Sequence, residues 1–591
     1  MRWSVVALVS LIMSGSVVRA DEAPNVLVVT VDDMNCDSVG AYGCKLAGTT
    51  PNMDRLAAEG LRFMHAHVQV GNCMPSRNVM WTGRYPHNNR VEGFYQIKDP
   101  TYPHLADLMK QAGYFTAIRG KHTHSTPYNP YGWDVVLDAD NGRKNIKNPE
   151  SYYASTKQGI AASGDKPFCV MVNISDPHKP FYSGPKDPFQ PTMVFSPNEV
   201  PVPGFLFDNP QVRTEVALYY SSVRRADDCV GQVLRALDES GEREDTVVLF
   251  LSDHGMPLPF AKTQLYHHST HTPLMIRWPG VTTANTRNKR HMVSAIDLLP
   301  TILDMTGVEP PDGLEGQSLV PLIKGEDQPG RDFVYKVYNE NSGGVRQPMR
   351  SVDSKRFGYI FNPWSDGKRK VKGATVGTAS YKAMTSVASK NLDVAKRLQT
   401  FVYREREEFF DYVADPNALH NLIDDPRYAP EIERHRKAMQ GFMVRTNDHI
   451  LGAFRNRDDE TAVQAYMTKV ENESAERRKS RRRPGQRNRN RKLISLSHGQ
   501  FQAGQPIVVT VHHKLTKALG QQKIHVTLKT GSAGKRVERK MVTATGRGEV
   551  EVRFELQPDQ VVDGQIRFAA FVGEDYASNL HHVTTKPVEV K

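Results

Sequence analysis

Residues 25–33, Asn-Val-Leu-Val-Val-Thr-Val-Asp-Asp, form an apolar, β-branched run that ends in two aspartates. A run without polar alternation is typical of a strand buried on both faces of a parallel sheet. Two later runs have the same form: residues 168–174 lead into Ser-Asp-Pro-His, and residues 246–251 lead into Ser-Asp-His-Gly. Because ligands bind at the carboxyl ends of strands in open α/β sheets, the polar residues of all three runs are predicted to meet at one edge.

Helical patterns separate these runs, and this alternation predicts an α/β domain over residues 21–340, with a mostly parallel sheet flanked by helices. Short strands and one helix then predict a smaller α+β subdomain over residues 341–455. Residues 456–492 are polar and then strongly basic, which predicts a disordered linker. Alternating short runs predict an antiparallel β-sandwich over residues 493–591.

The net charge comes largely from one segment of the chain. The 591 residues carry 77 Lys and Arg against 65 Asp and Glu, a balance of +12. Ten of the basic residues lie between Arg477 and Lys492, so the rest of the chain is nearly neutral. Because a nucleic-acid-binding fold carries its basic surface on the fold itself, no nucleic-acid partner is expected.

The N-terminus has the pattern of a secretory signal peptide over residues 1–20. Arg2 precedes an apolar run, and Val18-Arg19-Ala20 fits a small-residue cleavage site. The run is short for a transmembrane helix, and an uncleaved anchor is the alternative. We therefore expect a protein that is secreted or periplasmic and does not span a membrane. Five cysteines are too few for a disulfide framework, and Cys36 and Cys44 either pair locally or stay free.

Asp32, Asp33 and Asp253 are predicted to converge at the same edge of the sheet. Converging carboxylates repel one another unless a cation lies between them. Oxygen-rich ligation favours Ca²⁺, with Mg²⁺ as the alternative, and His254 adds one imidazole. A cluster of helix-capping aspartates is the structural alternative.

Residues 71–84, Gly-Asn-Cys-Met-Pro-Ser-Arg-Asn-Val-Met-Trp-Thr-Gly-Arg, place Cys73 at the predicted start of a helix with Arg77 one turn later. A cysteine in that position is placed for reactivity. The string Cys-x-Pro-Ser-Arg followed by Thr-Gly-Arg resembles the motif of type I sulfatases. In that family a formylglycine-generating enzyme oxidises the cysteine to Cα-formylglycine before folding. The resemblance covers residues 24–450 and implies a fold similar to that of alkaline phosphatase.

The resemblance also implies roles for individual residues. Arg77 is implied to hold the formylglycine hydrate, and Lys121 matches the lysine of a family Gly-Lys-x-His motif. His178 and Lys262 match residues that bind the sulfate group. The implied metal ligands are four residues and the modified cysteine: Asp32, Asp33, Asp253, His254 and Cys73.

The Gly-Lys-x-His motif is irregular in this chain. Residues 120–125 are Gly-Lys-His-Thr-His-Ser, so Thr123 takes the place of the family histidine. The histidine is displaced by one residue, to 122 or 124, and His124 is favoured as the leaving-group acid. An imidazole titrates near neutral pH, which suits proton transfer to the departing atom. The family mechanism implies that one hydroxyl of the hydrate attacks sulfur while the metal, Lys121 and Lys262 neutralise the equatorial oxygens.

Three stretches are similar to the heparan N-sulfatase (sulfamidase) branch: residues 252–266, 348–352 and 408–422. We therefore expect an exported sulfatase that hydrolyses sulfate from a sulfated glycan of the N-sulfoglucosamine type. An O-sulfate ester on another polysaccharide is the alternative. Further alternatives are a phosphoester or phosphonate hydrolase, and a glycan-binding protein whose Cys73 is never modified.

Features outside these motifs are weaker candidates for binding. The His-rich run over residues 266–271 either lines a sugar pocket or forms a solvated loop. Arg346 and Arg350 are candidates for binding a uronate or a second sulfate, although a surface role is an equal alternative for Arg346. The basic linker and the sandwich either bind glycan or act as spacers, and the sandwich is alternatively a dimerisation module.

Overall fold

A computed structural model describes the chain in seven ranges: 23–137, 145–481, 493–502, 504–515, 519–531, 534–574 and 581–590. Two compact units divide the chain between Glu471 and Asn472. The expected signal peptide and residues 482–492 of the expected linker lie outside the described residues.

The strands of the first unit are β1 (Asn25–Asp32), β2 (Leu61–Phe63), β3 (Ala66–His67), β4 (Phe115–Arg119), β5 (Val135–Val136), β6 (Phe168–Pro177), β7 (Thr246–Ser252), β8 (Leu274–Arg277), β9 (Thr286–Asn288), β10 (Val293–Ser294), β11 (Val334–Glu340), β12 (Arg346–Asp353), β13 (Phe357–Phe361) and β14 (Glu407–Asp411). The α-helices are α1 (Pro51–Glu59), α2 (Cys73–Thr82), α3 (Pro86–Asn89), α4 (Leu105–Gln111), α5 (His122–Ser125), α6 (Pro149–Ala161), α7 (Pro210–Ser240), α8 (His267–Thr270), α9 (Leu298–Thr306), α10 (Val320–Ile323), α11 (Ala379–Val387), α12 (Leu392–Tyr403), α13 (Ala429–Arg445), α14 (Leu451–Arg455) and α15 (Glu460–Arg481).

The main sheet has eight strands in the order β5-β4-β6-β1-β7-β8-β2-β9. All pairs are parallel except β7–β8 and β2–β8. The three apolar runs of the sequence are the adjacent strands β6, β1 and β7, and all eight residues of β1 are buried. The predicted α/β class, with a mostly parallel sheet flanked by helices, is confirmed.

Successive side chains of β1 enter two different cores, because a strand alternates its faces. Leu27 and Val29 pack in a core shared with α1, α6 and α7. Val26 and Val28 pack in a second core shared with α4 and α9. The sheet is therefore covered by apolar cores on both faces.

The limits of the predicted subdomain differ from the structure. A four-stranded antiparallel sheet, β11-β12-β13-β14, starts at Val334 inside the stretch assigned to the α/β domain. Its first strand, Val334–Glu340, lies just before the predicted boundary at residue 341. This sheet and the main sheet belong to one compact unit.

The prediction of a disordered linker is wrong for residues 460–481, which form α15. Asp459 caps the helix by accepting hydrogen bonds from the backbone N–H groups of Thr461 and Ala462. Val463, Met467 and Val470 form a buried stripe at helical spacing. The high overall polarity concealed this stripe, because a helix needs only one apolar face to pack.

The second unit contains β15 (Ile494–His498), β16 (Ile507–Lys514), β17 (Gln522–Thr530), β18 (Lys535–Ala544), β19 (Arg547–Phe554), β20 (Gln565–Val572), β21 (His581–Thr584) and β22 (Val588–Glu589). One sheet joins β15, β16 and β19, and the other joins β18, β17, β20, β21 and β22. Their pairs are antiparallel, and the two sheets share one apolar core. The predicted antiparallel β architecture is confirmed.

Two further observations concern the whole described chain. All five cysteines are free thiols, so Cys36 and Cys44 do not pair. Among the described residues, the helices are all too short or too polar to cross a bilayer.

Candidate active site

The carboxyl ends of three adjacent strands bring the predicted site residues together. In the parallel register Val31 of β1 lies opposite Ser252 of β7 and Ile174 of β6. The next residues of each strand therefore leave the sheet at the same edge. Asp32, Asp33, Asp253 and His254 are completely buried there.

Cys73 lies at the centre of this edge, at the first position of α2. Its Sγ atom is 3.5 Å from Asp32 Oδ1, 3.9 Å from Asp33 Oδ1 and 3.2 Å from His254 Nε2. One ligand atom from each of these four residues lies within 4.8 Å of those of the other three. We call these four residues the carboxylate cluster. Two carboxylates, a sulfur and one imidazole form a donor set that fits a divalent cation.

Three cationic side chains surround the carboxylate cluster. Lys262 Nζ lies 2.7 Å from both carboxylate oxygens of Asp33. Lys121 Nζ forms an ion pair with Asp32. Arg77 is completely buried and donates from Nε to Asp253 Oδ2 at 2.9 Å. Anionic groups that enter this edge therefore meet fixed positive charges.

These charges decide the protonation states of the site. Burial raises the pKa of the Asp32 carboxyl, but Lys121 and the other cations outweigh burial and hold that pKa well below its ordinary value. Lys262 overcomes burial in the same way and lowers the pKa of Asp33. Burial and the charge of Asp32 raise the pKa of the Cys73 thiol well above its ordinary value. Because the thiolate is the reactive form, an unmodified Cys73 is a poor nucleophile here.

Asp253, the fifth predicted metal ligand, also contacts Arg77 and the backbone of Asp33. Its Oδ1 accepts a hydrogen bond from the backbone N–H of Asp33 at 3.1 Å, and its Oδ2 accepts from Arg77. Although His254 Nε2 lies 3.7 Å from Asp253 Oδ1, Asp253 is not part of the four-residue ligand group. In this structure Asp253 orients Arg77 and the end of β1.

His178 lies at the open side of the site, where β6 ends. Its Nε2 is 4.0 Å from Asp33 Oδ2, and its side chain is 36% exposed. Nδ1 lies 2.6 Å from the Lys179 carbonyl oxygen, so Nδ1 donates to that oxygen and the ring is held with Nε2 towards the site. Lys147 donates to the His178 carbonyl oxygen at 2.6 Å and to Asp176, which fixes the backbone of this loop.

The two candidate histidines of α5 have different neighbours. The His124 ring packs edge-on against Phe94 and lies near Lys121 and Asp32, and the His122 ring packs edge-on against Tyr131. Burial and then Lys121 lower the pKa of His124 to about 3. The expectation that this group titrates near neutral pH is therefore wrong for the protein without substrate. The cause is burial, which disfavours the charged imidazolium.

Sequence analysis missed three polar residues that support the site. Thr30 and Asn173 lie inside apolar strands and accept hydrogen bonds from Arg77 Nη1 at 2.8 Å and 2.6 Å. Asn78 on α2 donates to the His124 carbonyl oxygen at 2.8 Å. A polar residue within a fully buried apolar strand was the available signal for Thr30 and Asn173, because such a residue needs a partner.

Neither arginine proposed to bind a uronate is available to a ligand. Arg350 is completely buried and donates to both carboxylate oxygens of Asp448. Arg346 is buried and pairs with Glu92. The His-rich run is buried or half-buried rather than solvated, and His268 stacks on Phe205 with ring centroids 4.1 Å apart.

A family model described as Sulfatase matches residues 24–308, and a second, described as N-sulphoglucosamine sulphohydrolase, C-terminal, matches residues 253–364. Together the two models span more than half of the chain. This chain belongs to the sulfatase family. The sulfatase is thus a hydrolase of sulfate esters or sulfamates, and the resemblance inferred from Cys73 and its neighbours is confirmed. The family generally uses a divalent metal, and the carboxylate cluster provides a fitting donor set.

Relatives of the sulfatase act on sulfated saccharides. Human N-sulphoglucosamine sulphohydrolase is 29% identical over 468 residues, which cover 72% of this chain and 90% of the relative. An ulvan-active sulfatase from Formosa agariphila is 27% identical over 450 residues, which cover 68% and 78% of the two chains.

Solved structures with the same fold include a 2-O GAG sulfatase with a TM-score of 0.55. It is 21% identical, and the match covers 74% of the sulfatase and 94% of that chain. A phosphonate monoester hydrolase of Agrobacterium radiobacter has a TM-score of 0.53 at 19% identity, covering 72% and 96%. At these identities the likeness shows the fold alone.

Proposed function

We propose that this sulfatase is an exported enzyme that removes the N-sulfo group from N-sulfoglucosamine units of a sulfated glycan through a formylglycine at position 73. The position of Cys73 carries this proposal. Cys73 Sγ contacts both carboxylates of the cluster and His254, while three cations surround the same point. A group attached at this position is held where an anionic sulfate would be stabilised on several sides.

A modified residue 73 and a bound divalent cation would supply chemistry that unmodified side chains lack. The hydrate of a formylglycine at position 73 would supply the hydroxyl nucleophile and a route for release of sulfate. A divalent cation, which we expect to be Ca²⁺, would be held by Asp32, Asp33, His254 and residue 73 and would polarise the sulfate oxygens.

The chain's own residues bind the substrate and move its proton. Lys262 and Lys121 approach from two sides of the cluster and neutralise sulfate oxygens. His178 at the open side orients the sulfate through Nε2. Arg77 is held by Thr30, Asn173 and Asp253, so its Nη2, which lies 4.0 Å from Asp32 Oδ1, keeps a fixed direction towards the cluster.

His124 is the proposed proton donor to the departing nitrogen. Its neutral ring would gain a proton only as an anionic sulfate enters, because nearby negative charge raises an imidazole pKa. Coupling protonation to substrate entry keeps the His124 ring neutral when no substrate is bound.

The N-sulfo assignment is supported by two findings. The C-terminal family model of N-sulphoglucosamine sulphohydrolase matches residues 253–364, and the human enzyme of that name is matched over 90% of its length. An O-sulfate ester is the second candidate, supported by the Formosa agariphila ulvan-active sulfatases.

The first test is peptide mass spectrometry across Cys73 on protein from its native host. The expected mass deficit corresponds to loss of the thiol and gain of an aldehyde. An unmodified thiol in protein that hydrolyses sulfate would overturn the formylglycine mechanism.

The second test is sulfate release from glucosamine saccharides that carry either an N-sulfo or a 6-O-sulfo group, with ulvan as a third substrate. Higher kcat/KM on the N-sulfo saccharide is expected. Preference for either ester moves the assignment to an O-sulfatase without affecting the Cys73 result.

A further inference from the structure

A second group of potential metal ligands lies outside the residues matched to sulfatase roles. It consists of His67 at the end of β3, His267 at the start of α8 and Asp353 at the end of β12. One ligand atom of each lies within 4.8 Å of those of the other two. His67 and Asp353 are buried and His267 is half-buried. We call these three residues the imidazole cluster.

A third imidazole lies beside the cluster. The ring centroid of His271 is 5.2 Å from that of His67 and 4.6 Å from that of His267. Imidazole is the commonest metal ligand among protein side chains, so three rings this close favour a metal site.

Hydrogen bonds direct the lone pair of His67. The Thr270 hydroxyl lies 3.3 Å from His67 Nδ1 and donates to the carbonyl oxygens of Tyr266 and His267 at 3.4 Å. It therefore accepts from Nδ1, and the His67 lone pair stays on Nε2. An outer hydrogen bond that fixes the tautomer is typical of metal-binding histidines.

One fixed cation lies against the cluster. Lys336 is completely buried, forms an ion pair with Asp353, and lies 3.4 Å from the Leu265 carbonyl oxygen. The other oxygen of Asp353 accepts from the Ser351 hydroxyl at 2.8 Å. An ammonium on the carboxylate does not preclude a metal site, because Lys262 makes the same contact with Asp33 in the carboxylate cluster.

We propose that the imidazole cluster binds one Zn²⁺ ion. Two imidazoles and one carboxylate form a borderline donor set that prefers Zn²⁺ to Ca²⁺, with further positions left for water or His271. Tetrahedral zinc ligands at about 2.0–2.2 Å lie roughly 3.3–3.6 Å from one another, so ligand atoms up to 4.8 Å apart approach by at most about 1.5 Å on binding. His267 lies on a four-residue helix, with its ring against those of His271 and Tyr412.

The ion would join three segments that are distant in sequence. His267 follows Lys262 by five residues in the loop between β7 and β8, His67 belongs to β3, and Asp353 belongs to the four-stranded sheet. A zinc ion here would therefore clamp the loop that carries Lys262 and stabilise the folded state by mass action. This inference does not depend on the proposed substrate or on formylglycine.

The test measures zinc binding and thermal unfolding on the full chain after chelator dialysis and saturation with Ca²⁺. Wild type and Asp33→Asn, which lacks one carboxylate of the active site, are each expected to bind one zinc per chain and to unfold at a higher temperature with zinc. His267→Ala is expected to bind zinc at least about 100-fold more weakly, since even outer-shell changes cost 10–100-fold. Cobalt serves as a spectroscopic probe, with a visible absorption band expected in wild type and absent in His267→Ala.

His291→Ala is the matched control, because His291 is a buried histidine that pairs with Asp327 elsewhere in the unit. It should bind zinc as wild type does. Loss of zinc in Asp33→Asn alone would assign the ion to the active site and overturn the proposal. Retention of zinc in His267→Ala, or no binding in wild type, would also overturn it. Asp353→Asn replaces His267→Ala if the latter fails to fold, as judged by circular dichroism.

Discussion

The carboxylate cluster and the imidazole cluster are both buried ligand groups, but they differ in charge. The first combines two ionised carboxylates with Lys121, Lys262 and Arg77. The second has neutral imidazoles, one carboxylate and one ammonium. Dense fixed charge suits binding and turnover of an anion, whereas neutral donors suit a structural ion. We therefore assign catalysis to the densely charged carboxylate cluster and structural stabilisation to the imidazole cluster.

Removal of the central residue of the carboxylate cluster should have the largest effect. Cys73→Ala is expected to lower kcat by at least about 10³-fold, because the nucleophile is lost. The unfolding temperature should change little, since the residue is small and lies at a helix start. Initial rates of sulfate release and differential scanning calorimetry check both parts. Residual activity above a tenth of wild type would remove Cys73 from the chemistry.

The two histidines of α5 provide a similar comparison, between a residue proposed to act in catalysis and a residue proposed only to pack. His124→Gln is expected to lower kcat by about 10²–10⁴-fold, as for loss of a general acid. His122→Gln is the matched control and should change kcat by less than a few-fold, because its ring packs on Tyr131. Substrates with a better leaving group should rescue His124→Gln. Equal losses in the two variants would contradict the assignment of the acid.

Two lysines that contact buried carboxylates separate the clusters. Lys262→Met is expected to lower kcat/KM by about 10²–10³-fold through loss of a charge on sulfate. Lys336→Met should leave kcat/KM within a few-fold but lower the unfolding temperature without zinc, because Asp353 loses its partner. Added zinc should then restore the unfolding temperature. A large loss of kcat/KM in Lys336→Met would contradict the assignment of a purely structural role to the imidazole cluster.

The Arg350–Asp448 pair is a reference case in which protein charge alone neutralises a buried carboxylate. Burial opposes ionisation, but Arg350 holds the pKa of Asp448 at about 2, below its ordinary value. Stability from this group is therefore present above about pH 4 and is lost as the pH falls towards 2. Asp448→Asn is expected to cost about 3–5 kcal/mol at pH 7, because Arg350 loses its partner.

Urea unfolding at pH 7, 4 and 3 checks this expectation. The difference in the free energy of unfolding between wild type and Asp448→Asn should become smaller as the pH falls. Asp425→Asn, which breaks an exposed pair with Arg427, is the control and should show no measurable change. A constant difference across the three pH values would mean that folding does not shift the pKa of Asp448.

Local sequence predicted much of the active site because its residues follow buried strands directly. The run at residues 25–33 predicted the position of Asp32 and Asp33, and the Cys73 motif predicted that Cys73 begins α2. For the loop of His124 the sequence predicted a choice of two residues. That choice depends on how each ring packs, and packing cannot be read from the spacing of residues.

The remaining features depend on contacts between distant segments. His67, His267 and Asp353 are single residues on three elements, so no local pattern joins them. Arg346 and Arg350 gave a misleading signal, because their partners Glu92 and Asp448 are far away in the chain. The start of β11 and the helix α15 were missed because a short or mostly polar segment gains its structure from what it packs against.

Cys73 is only 2% exposed once the sheet and α2 have assembled. If residue 73 must be oxidised by another enzyme, that enzyme competes with folding for a short interval after synthesis. A chain that folds before oxidation buries its unmodified thiol and has the same fold as a mature chain. The specific activity of a preparation would then depend on the fraction of chains that the host oxidised before they folded. Two equally pure and equally folded samples would therefore differ in turnover.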